Sequence, residues 1–170
     1  SIDLFVSGGS VALDYTYDWD NDGTGDNDDT QDLNNLTAGS YSVIISDDIG
    51  LVVEKLNSLI SNEFIDVVVA TGGTGVTGRD ITPEAFGQVY EKEIPGFGEL
   101  FRWISYQKIA TSTIQSRATA GVAGGTYLFS LPGSPGACKD AWDEILIHQL
   151  DVRHKPCNFV ELMPRLKENL

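Results

Sequence analysis

"IDVVVATGGTGVTGRDITPEAF", residues 65–86, carries in succession the patterns of a strand, a glycine-rich loop and a helix. The run 65–70 is short, apolar and rich in β-branched residues, which is typical of a strand buried on both faces of a sheet. Thr82 is predicted to cap the following helix, with Pro83 at its first position and Glu84 in its first turn. In an open parallel sheet, ligands bind at the strand end where such a loop lies.

Further helices and strands are predicted on both sides of this unit. An apolar stripe predicts an amphipathic helix within 46–62, with Ser46 or Asp47 as its N-cap. "IPGFG" (94–98) is predicted to break the chain before a short helix at 99–107, and "TYLFSL" (126–131) is predicted as a second buried strand. Strands that alternate with helices predict an α/β fold, a three-layer sandwich with a mostly parallel mixed sheet.

Residues 1–45 differ in composition and are predicted to be an atypical acidic, β-rich segment, with 46–170 forming one α/β domain. The first 47 residues hold ten of the 25 acidic residues and none of the 11 basic ones. Short strands are predicted within 2–9, 10–19 and 40–46, with polar turns between them.

Charge and hydropathy exclude some classes of partner. The net charge is −14, which makes a bare nucleic-acid surface unfavourable, because phosphates require Lys and Arg to replace counterions. No apolar run approaches the roughly 20 residues of a membrane span. Cys138 and Cys157 form no CxxC pair and indicate a reducing compartment, and His148 and His154 lack metal-ligand spacing with them. We therefore expect a cytoplasmic protein that binds neither nucleic acid nor membrane.

Two glycine loops are the candidate ligand sites. The first contains Gly73-x-Gly75-x-x-Gly78, but the acidic residue expected about 20 residues later is missing and no Walker A lysine follows. Asp80 lies beside this loop, placed to hold Mg²⁺ on a phosphate, and Ser116 and Arg117 are expected to add a hydroxyl and a guanidinium. Simple tight turns are the alternative for both loops. The loop residues assigned to binding are Thr71, Gly72, Gly73, Thr74 and Gly75 in the first, and Pro132, Gly133, Ser134, Pro135 and Gly136 in the second.

Five blocks in order carry a family likeness: "TGGTGVTGRDITPEAF", "EKEIPGFGELFR", "TSTIQSRATAGV", "LPGSPGACKDAWDEI" and "QLDVRHKPCNFVELMPRL". Over residues 46–170 the chain resembles the MogA/MoaB family of molybdenum cofactor biosynthesis proteins, and its PCN-type tail favours the MoaB branch. The resemblance implies an α/β fold with a mixed sheet and a homotrimer or homohexamer. It also implies binding of molybdopterin and its adenylylation with Mg²⁺-ATP, which releases pyrophosphate.

The same resemblance assigns roles to individual residues. Asp80 matches an essential acidic position, and Asp47 matches the family's second functional Asp, so both are expected to share a Mg²⁺ ion. Thr71 to Gly75 would form the pterin and phosphate cradle, and Ser116 with Pro132–Gly136 would contact the pterin. The Ser-Gly that the family carries in its acidic N-terminal loop is absent after "DDT" (28–30), which motivates an alternative: molybdopterin binding without catalysis.

The segment 15–47 resembles repeats of secreted bacterial adhesins of the immunoglobulin-like, PKD-like kind. It also contains acidic residues at positions 1, 3, 5, 9 and 12 of an EF-hand-like loop, with Gly23 at position 6. A calcium-binding or adhesive module is therefore a further alternative, and a solvated acidic turn is the simpler interpretation. The calcium ligands expected from this spacing are Asp18, Asp20, Asp22, Asp26 and Asp29.

If this loop binds calcium, titration with Ca²⁺ at about 1 mM should release or absorb heat in a calorimeter, since weak EF-hand-like sites bind in that range. Replacing Asp18 and Asp22 by Asn should abolish the signal, because both changes remove charged oxygen ligands. Absence of heat from the unaltered chain at millimolar metal would show that the acidic segment is only a solvated turn.

Overall fold

A four-stranded mixed sheet lies between two layers of helices in residues 47–168, the part of the chain that the computed structural model describes. The strand order is β1-β4-β3-β2. The strands are β1 (Val67–Thr71), β2 (Lys92–Glu93), β3 (Thr119–Ala123) and β4 (Thr126–Leu131). The helices are α1 (Ile49–Ile60), α2 (Thr82–Val89), α3 (Pro95–Ile109), α4 (Pro135–Ala141), α5 (Ile147–Gln149) and α6 (Phe159–Leu162). A 3₁₀ segment (Ala110–Gln115) follows α3, a π-helical turn (Trp142–Leu146) joins α4 to α5, and a 3₁₀ turn (Met163–Arg165) follows α6.

Strand pairing confirms the predicted α/β fold with a mixed sheet. Strand β1 pairs with β4 in parallel, while β3 is antiparallel to both β4 and β2. The described strands thus have less parallel pairing than the mostly parallel sheet expected. The reason is the hairpin between β3 and β4, whose Gly124 and Gly125 adopt φ of +58° and +87° and return the chain without a helical crossover. Strand β3 has the sequence TAGVA, and its small residues gave little strand signal.

Three helix starts differ from prediction. Asp48 caps α1 by accepting hydrogen bonds from the amides of Gly50 and Leu51, so the helix starts one residue later than a cap at Asp47, and two later than a cap at Ser46, would give. Helix α2 has Ile81 at the N-cap, and Thr82 is its first residue. Helix α3 begins at Pro95, inside the predicted break, since proline is favoured in the first turn of a helix.

The two faces of the sheet bury separate apolar clusters, as a three-layer arrangement requires. On one face, Leu56 of α1 and Phe86 of α2 pack with Leu128. On the other face, Phe97 and Phe101 of α3 pack with alternate residues of β4 and with the α4 region. Every residue of β4 is buried, so this central strand holds the two helix layers together. None of the helices described is long and apolar enough to cross a membrane.

Replacing Phe129 by Ala should lower the free energy of unfolding by about 3–5 kcal/mol, the usual cost of truncating a buried aromatic side chain. Phe129 is fully buried, and its ring centroid lies 5.2 Å from that of Phe97. Phe64 is 82% exposed and provides the matched control, so Phe64→Ala should change stability by less than about 0.5 kcal/mol. Urea unfolding measures both; equal losses would contradict this account of the core.

Candidate functional site

The two glycine loops meet at the ends of the parallel pair β1 and β4. A Cβ atom on Gly133 would lie 3.2 Å from the Cα of Gly72, and the amide of Gly72 donates to Leu131 O at 2.9 Å. The strands run in parallel, so their carboxyl ends deliver both loops to the same edge of the sheet. The two candidate loops therefore lie side by side at one edge of the sheet.

Hydroxyl groups tie these loops to each other and to α2. The Thr71 hydroxyl donates to Pro132 O at 2.9 Å, and the Cys138 thiol lies 3.1 Å from that same oxygen. The Thr82 hydroxyl donates to Gly72 O at 2.8 Å. Thr71 was assigned to the pterin and phosphate cradle; its hydroxyl joins the two loops, and its part in binding stays a prediction. Gly72 and Gly73 have φ of +93° and +63°, which only glycine adopts without strain.

An open cavity of about 450 Å³ lies against these loops; because it is larger than the second cavity described below, we call it the main cavity. Its lining unites Gly73, Thr74 and Gly75 of the first loop with Pro132, Gly133 and Ser134 of the second, together with Asp80 and Ser116. Thr71, Gly72, Arg117, Pro135 and Gly136 lie outside this lining. Ser134 also caps α4, its side-chain oxygen accepting from the amide of Ala137 at 3.3 Å.

The opposite wall of the main cavity was missed by sequence reasoning. It comes from the end of α3 and the 3₁₀ segment, and its residues are Phe101, Ser105, Ile109, Ser112, Thr113 and Gln115. The signal available was the run "TSTIQS" (111–116), in which four of six residues carry hydroxyls. A hydroxyl-rich run has no periodicity that points to a site, and only the packing of α3 against the sheet brings it to the glycine loops.

Asp80 stands between the main cavity and a second cavity of about 380 Å³, which Thr77, Glu84 and Arg117 also line. Its Oδ2 accepts from the Thr77 amide at 2.8 Å and from the Thr77 hydroxyl at 2.6 Å. The Thr77 side-chain and backbone hydrogen bonds lower the pKa of Asp80, so its carboxylate is charged at neutral pH. A Cβ on Gly75 would lie 2.7 Å from the same oxygen, so any side chain at this position would force the carboxylate to shift.

Asp47, the second predicted acidic residue, forms an ion pair with Arg79, the residue that precedes Asp80. The Arg79 guanidinium lies 3.1–3.2 Å from Oδ2 of Asp47, and both side chains are exposed. Within residues 47–168, no three or more His, Cys, Asp or Glu side chains cluster closely enough to hold a metal ion.

The other predicted residues have different positions. The Arg117 guanidinium contacts the first glycine loop and Glu84. His148 and His154 lie together, with ring centroids 5.1 Å apart, and neither lines the main cavity. Cys138 and Cys157 are free thiols. The five predicted calcium ligands, Asp18 to Asp29, lie outside the described residues, so calcium binding stays a prediction.

Comparison with known proteins gives this geometry a context. The profile of the family described as "Probable molybdopterin binding domain" matches residues 34–152. The chain is 47% identical over 114 residues to molybdenum cofactor biosynthesis protein B of Escherichia coli K12, covering 67% of this chain and 65% of that protein. It is 49% identical over 90 residues to the protein of the same name from Bacillus subtilis, covering 52% and 53%. The chain thus spans somewhat less than two thirds of these relatives.

Solved structures show the same fold. A crystal structure of a molybdenum cofactor biosynthesis protein B has a TM-score of 0.62 at 38% identity, covering 71% of this chain and 70% of that one. The tungsten cofactor synthesizing protein MoaB from Pyrococcus furiosus has a TM-score of 0.58 at 42% identity, covering 64% and 69%. The family profile begins at residue 34, inside the segment 1–45, and the predicted likeness of that segment to adhesin repeats is not borne out.

Because Gly75 lies close to the Asp80 carboxylate and Gly78 does not, replacing each glycine by alanine should have different effects on the loop. Gly75→Ala should displace the Asp80 carboxylate and break its bonds from Thr77, so amide hydrogen exchange at 76–80 should accelerate about tenfold or more, as expected for lost charged hydrogen bonds. A methyl group on Gly78 would meet no atom within 4 Å, so Gly78→Ala should leave exchange nearly unchanged. Mass spectrometry of both variants measures this, and equal behaviour would contradict the described packing.

Proposed function

The chain belongs to the molybdopterin-binding-domain family, and on that premise we propose that it binds molybdopterin in the main cavity and adenylylates it with Mg²⁺-ATP. One observation carries the proposal: the two glycine loops meet at one sheet edge and enclose, with Asp80 and a wall of hydroxyl groups, a cavity of about 450 Å³. A cavity of this size is in the range of small-molecule and cofactor sites.

The lining suits the chemistry of molybdopterin. A pterin ring presents several hydrogen-bond donors and acceptors along its edge, and Ser105, Ser112 and Gln115 lie on one wall to meet them. The terminal phosphate requires backbone amides in close approach, which the glycines of the opposite wall permit. Ser116 and Ser134 also line the cavity and would contact the pterin, as the family resemblance implies.

The proposed reaction is a nucleotidyl transfer. A terminal phosphate oxygen of molybdopterin attacks the α-phosphorus of ATP and forms a new P–O bond, while the bond from that phosphorus to the bridging oxygen breaks. Pyrophosphate leaves, and adenylylated molybdopterin is the product. The task of the protein in such a transfer is mainly positioning and charge stabilisation, because little covalent chemistry falls to side chains.

Asp80 fits a Mg²⁺ ion that a nucleotide brings with it. Mg²⁺ commonly takes only one or two protein carboxylates and completes its shell with waters and phosphates, so the lack of a preformed cage in residues 47–168 is compatible with it. Asp80 would hold the ion from the boundary of the two cavities, and the ion would supply neutralisation of phosphate charge. Asp47 pairs with Arg79 through Oδ2, so a metal ion would compete with that exposed ion pair for this oxygen.

Molybdopterin binding without catalysis is the second candidate. The ion pair between Asp47 and Arg79 favours it, since it engages one of the two acidic residues expected to share the metal. Retained pterin binding without any nucleotide turnover would distinguish this candidate from the transferase.

Two further expectations belong to the same proposal. A homotrimer or homohexamer would cover some of the exposed apolar side chains of α3 and the segment after it, among them Trp103, Tyr106 and Ile114. Light scattering after size-exclusion chromatography measures the mass of the oligomer.

A cytoplasmic location agrees with the free thiols of Cys138 and Cys157.

Asp80→Asn should reduce formation of adenylylated molybdopterin and pyrophosphate by roughly 100-fold, the loss typical when one electrostatic partner of the transition state is removed. Molybdopterin affinity should change much less, because Asn keeps the size of the side chain. The assay is anaerobic turnover with ATP and Mg²⁺, with equilibrium binding measured in parallel.

Asp143→Asn is the matched control, since Asp143 pairs with Lys139 on the exposed side of α4 and lies outside both cavities. It should retain full turnover. Wild-type protein that forms no product above Asp80→Asn would exclude the transferase, and wild-type protein that does not bind molybdopterin would exclude both candidates.

A further inference from the structure

We propose that Arg117 is a positioning residue: it clamps the two ends of the loop 75–80 to helix α2 and so fixes Asp80, instead of binding a phosphate itself. The inference rests on the proposed function for its meaning, because Asp80 is the acidic group of that site. It changes the role that the sequence suggested for the Arg117 guanidinium.

The hydrogen bonds of Arg117 converge on one loop. Its Nε donates to Gly75 O at 2.5 Å, and one terminal nitrogen donates to Asp80 O at 2.6 Å. These carbonyls lie at the beginning and the end of the loop 75–80. A single planar guanidinium therefore links the two ends of the loop. The side chain of Arg117 is only one-third exposed.

Glu84 completes the clamp from the first turn of α2. The other terminal nitrogen of Arg117 donates to its carboxylate, and this hydrogen bond lowers the pKa of Glu84. The pair holds the guanidinium plane in one orientation relative to α2. All three guanidinium nitrogens of Arg117 therefore have a protein partner. Each partner belongs to the loop 75–80 or to helix α2, which follows it.

The backbone of Arg117 extends the same function to the main cavity. Its amide donates to Thr74 O at 2.9 Å, which places Ser116 beside the first glycine loop. Thr74, Ser116 and Asp80 all line the main cavity. The backbone of Arg117 thus connects Ser116 to Thr74, and its side chain holds the backbone of Asp80.

Holding the loop requires the planar, forked guanidinium group of arginine, and a positive charge alone is not sufficient. Lysine carries its three N–H donors on one nitrogen atom, so it does not reproduce the fork that reaches Gly75 O, Asp80 O and Glu84 together. A phosphate ligand, in contrast, depends mainly on positive charge, and lysine is a common phosphate binder. The comparison of Arg117→Lys with Arg117→Gln therefore separates the two roles.

The experiment measures amide exchange and molybdopterin affinity in Arg117→Lys, Arg117→Gln and Glu84→Gln, with Arg153→Lys as control. Arg153 makes a comparable fork to Asp151 on the exposed surface, away from both cavities. We expect exchange within 73–82, including the Thr77 and Thr82 amides, to accelerate about tenfold or more in both Arg117 variants, with β4 unaffected. Glu84→Gln should accelerate the same segment, and the control should not.

The affinity for molybdopterin should depend on the conformation of the loop 75–80 and not on the charge at position 117. Molybdopterin should bind about tenfold more weakly or worse to Arg117→Lys and to Arg117→Gln alike, a loss comparable to one charged hydrogen bond. Glu84→Gln should also weaken binding, although it frees the guanidinium for a phosphate. Wild-type affinity in Arg117→Lys, or tighter binding in Glu84→Gln, would overturn the proposal.

The exchange measurements need no ligand, so they test the clamp even if the proposed function fails. Wild-type protein that does not bind molybdopterin would overturn the proposed function alone. Unchanged exchange in both Arg117 variants would overturn the clamp alone. Glu84 is half-exposed, so its variant should fold and provide a result if an Arg117 variant does not.

Discussion

The parallel pairing of β1 with β4 is the constraint on which the site depends. It brings two loops that are 61 residues apart in sequence to one edge of the sheet, where Gly133 approaches Gly72 so closely that a side chain on Gly133 would require movement. The hydroxyl of Thr71 and the thiol of Cys138 reinforce the contact at Pro132 O. With this edge in place, the main cavity has a rigid wall of glycine backbone.

The acidic side of the site is arranged by charge and hydrogen bonding. Thr77 holds the carboxylate of Asp80, Glu84 holds the guanidinium of Arg117, and Arg117 holds the backbone on both sides of the loop. These contacts join the loop 75–80 and the first turn of α2 to Arg117, which lies two residues before β3. The acidic group of the site is consequently held by its own loop and by a residue at the start of a neighbouring strand.

Packing explains both the successes and the failures of prediction. Strands β1 and β4 were predictable because their runs are apolar and rich in β-branched or aromatic residues, and α1 because its apolar stripe has helical period. Strand β3 was missed because TAGVA has small residues, whose place in the sheet follows from the glycine hairpin and from neighbours on both sides. The start of α3 was missed because the sequence "IPGFG" resembles a turn. In the structure Phe97 packs in the core, and this segment forms the first turn of the helix.

The sequence by itself determined the α/β class, the two glycine loops, the acidic residue beside them and the family likeness, because each is a local pattern of spacing and residue type. The tertiary structure alone decided how these parts meet. It turned Thr71 toward the second loop, paired Asp47 with Arg79, and added Ser105, Ser112 and Gln115 to the lining. These contacts depend on which side chains lie within reach of one another after packing. The distances between them are set by the folded chain and not by the local sequence.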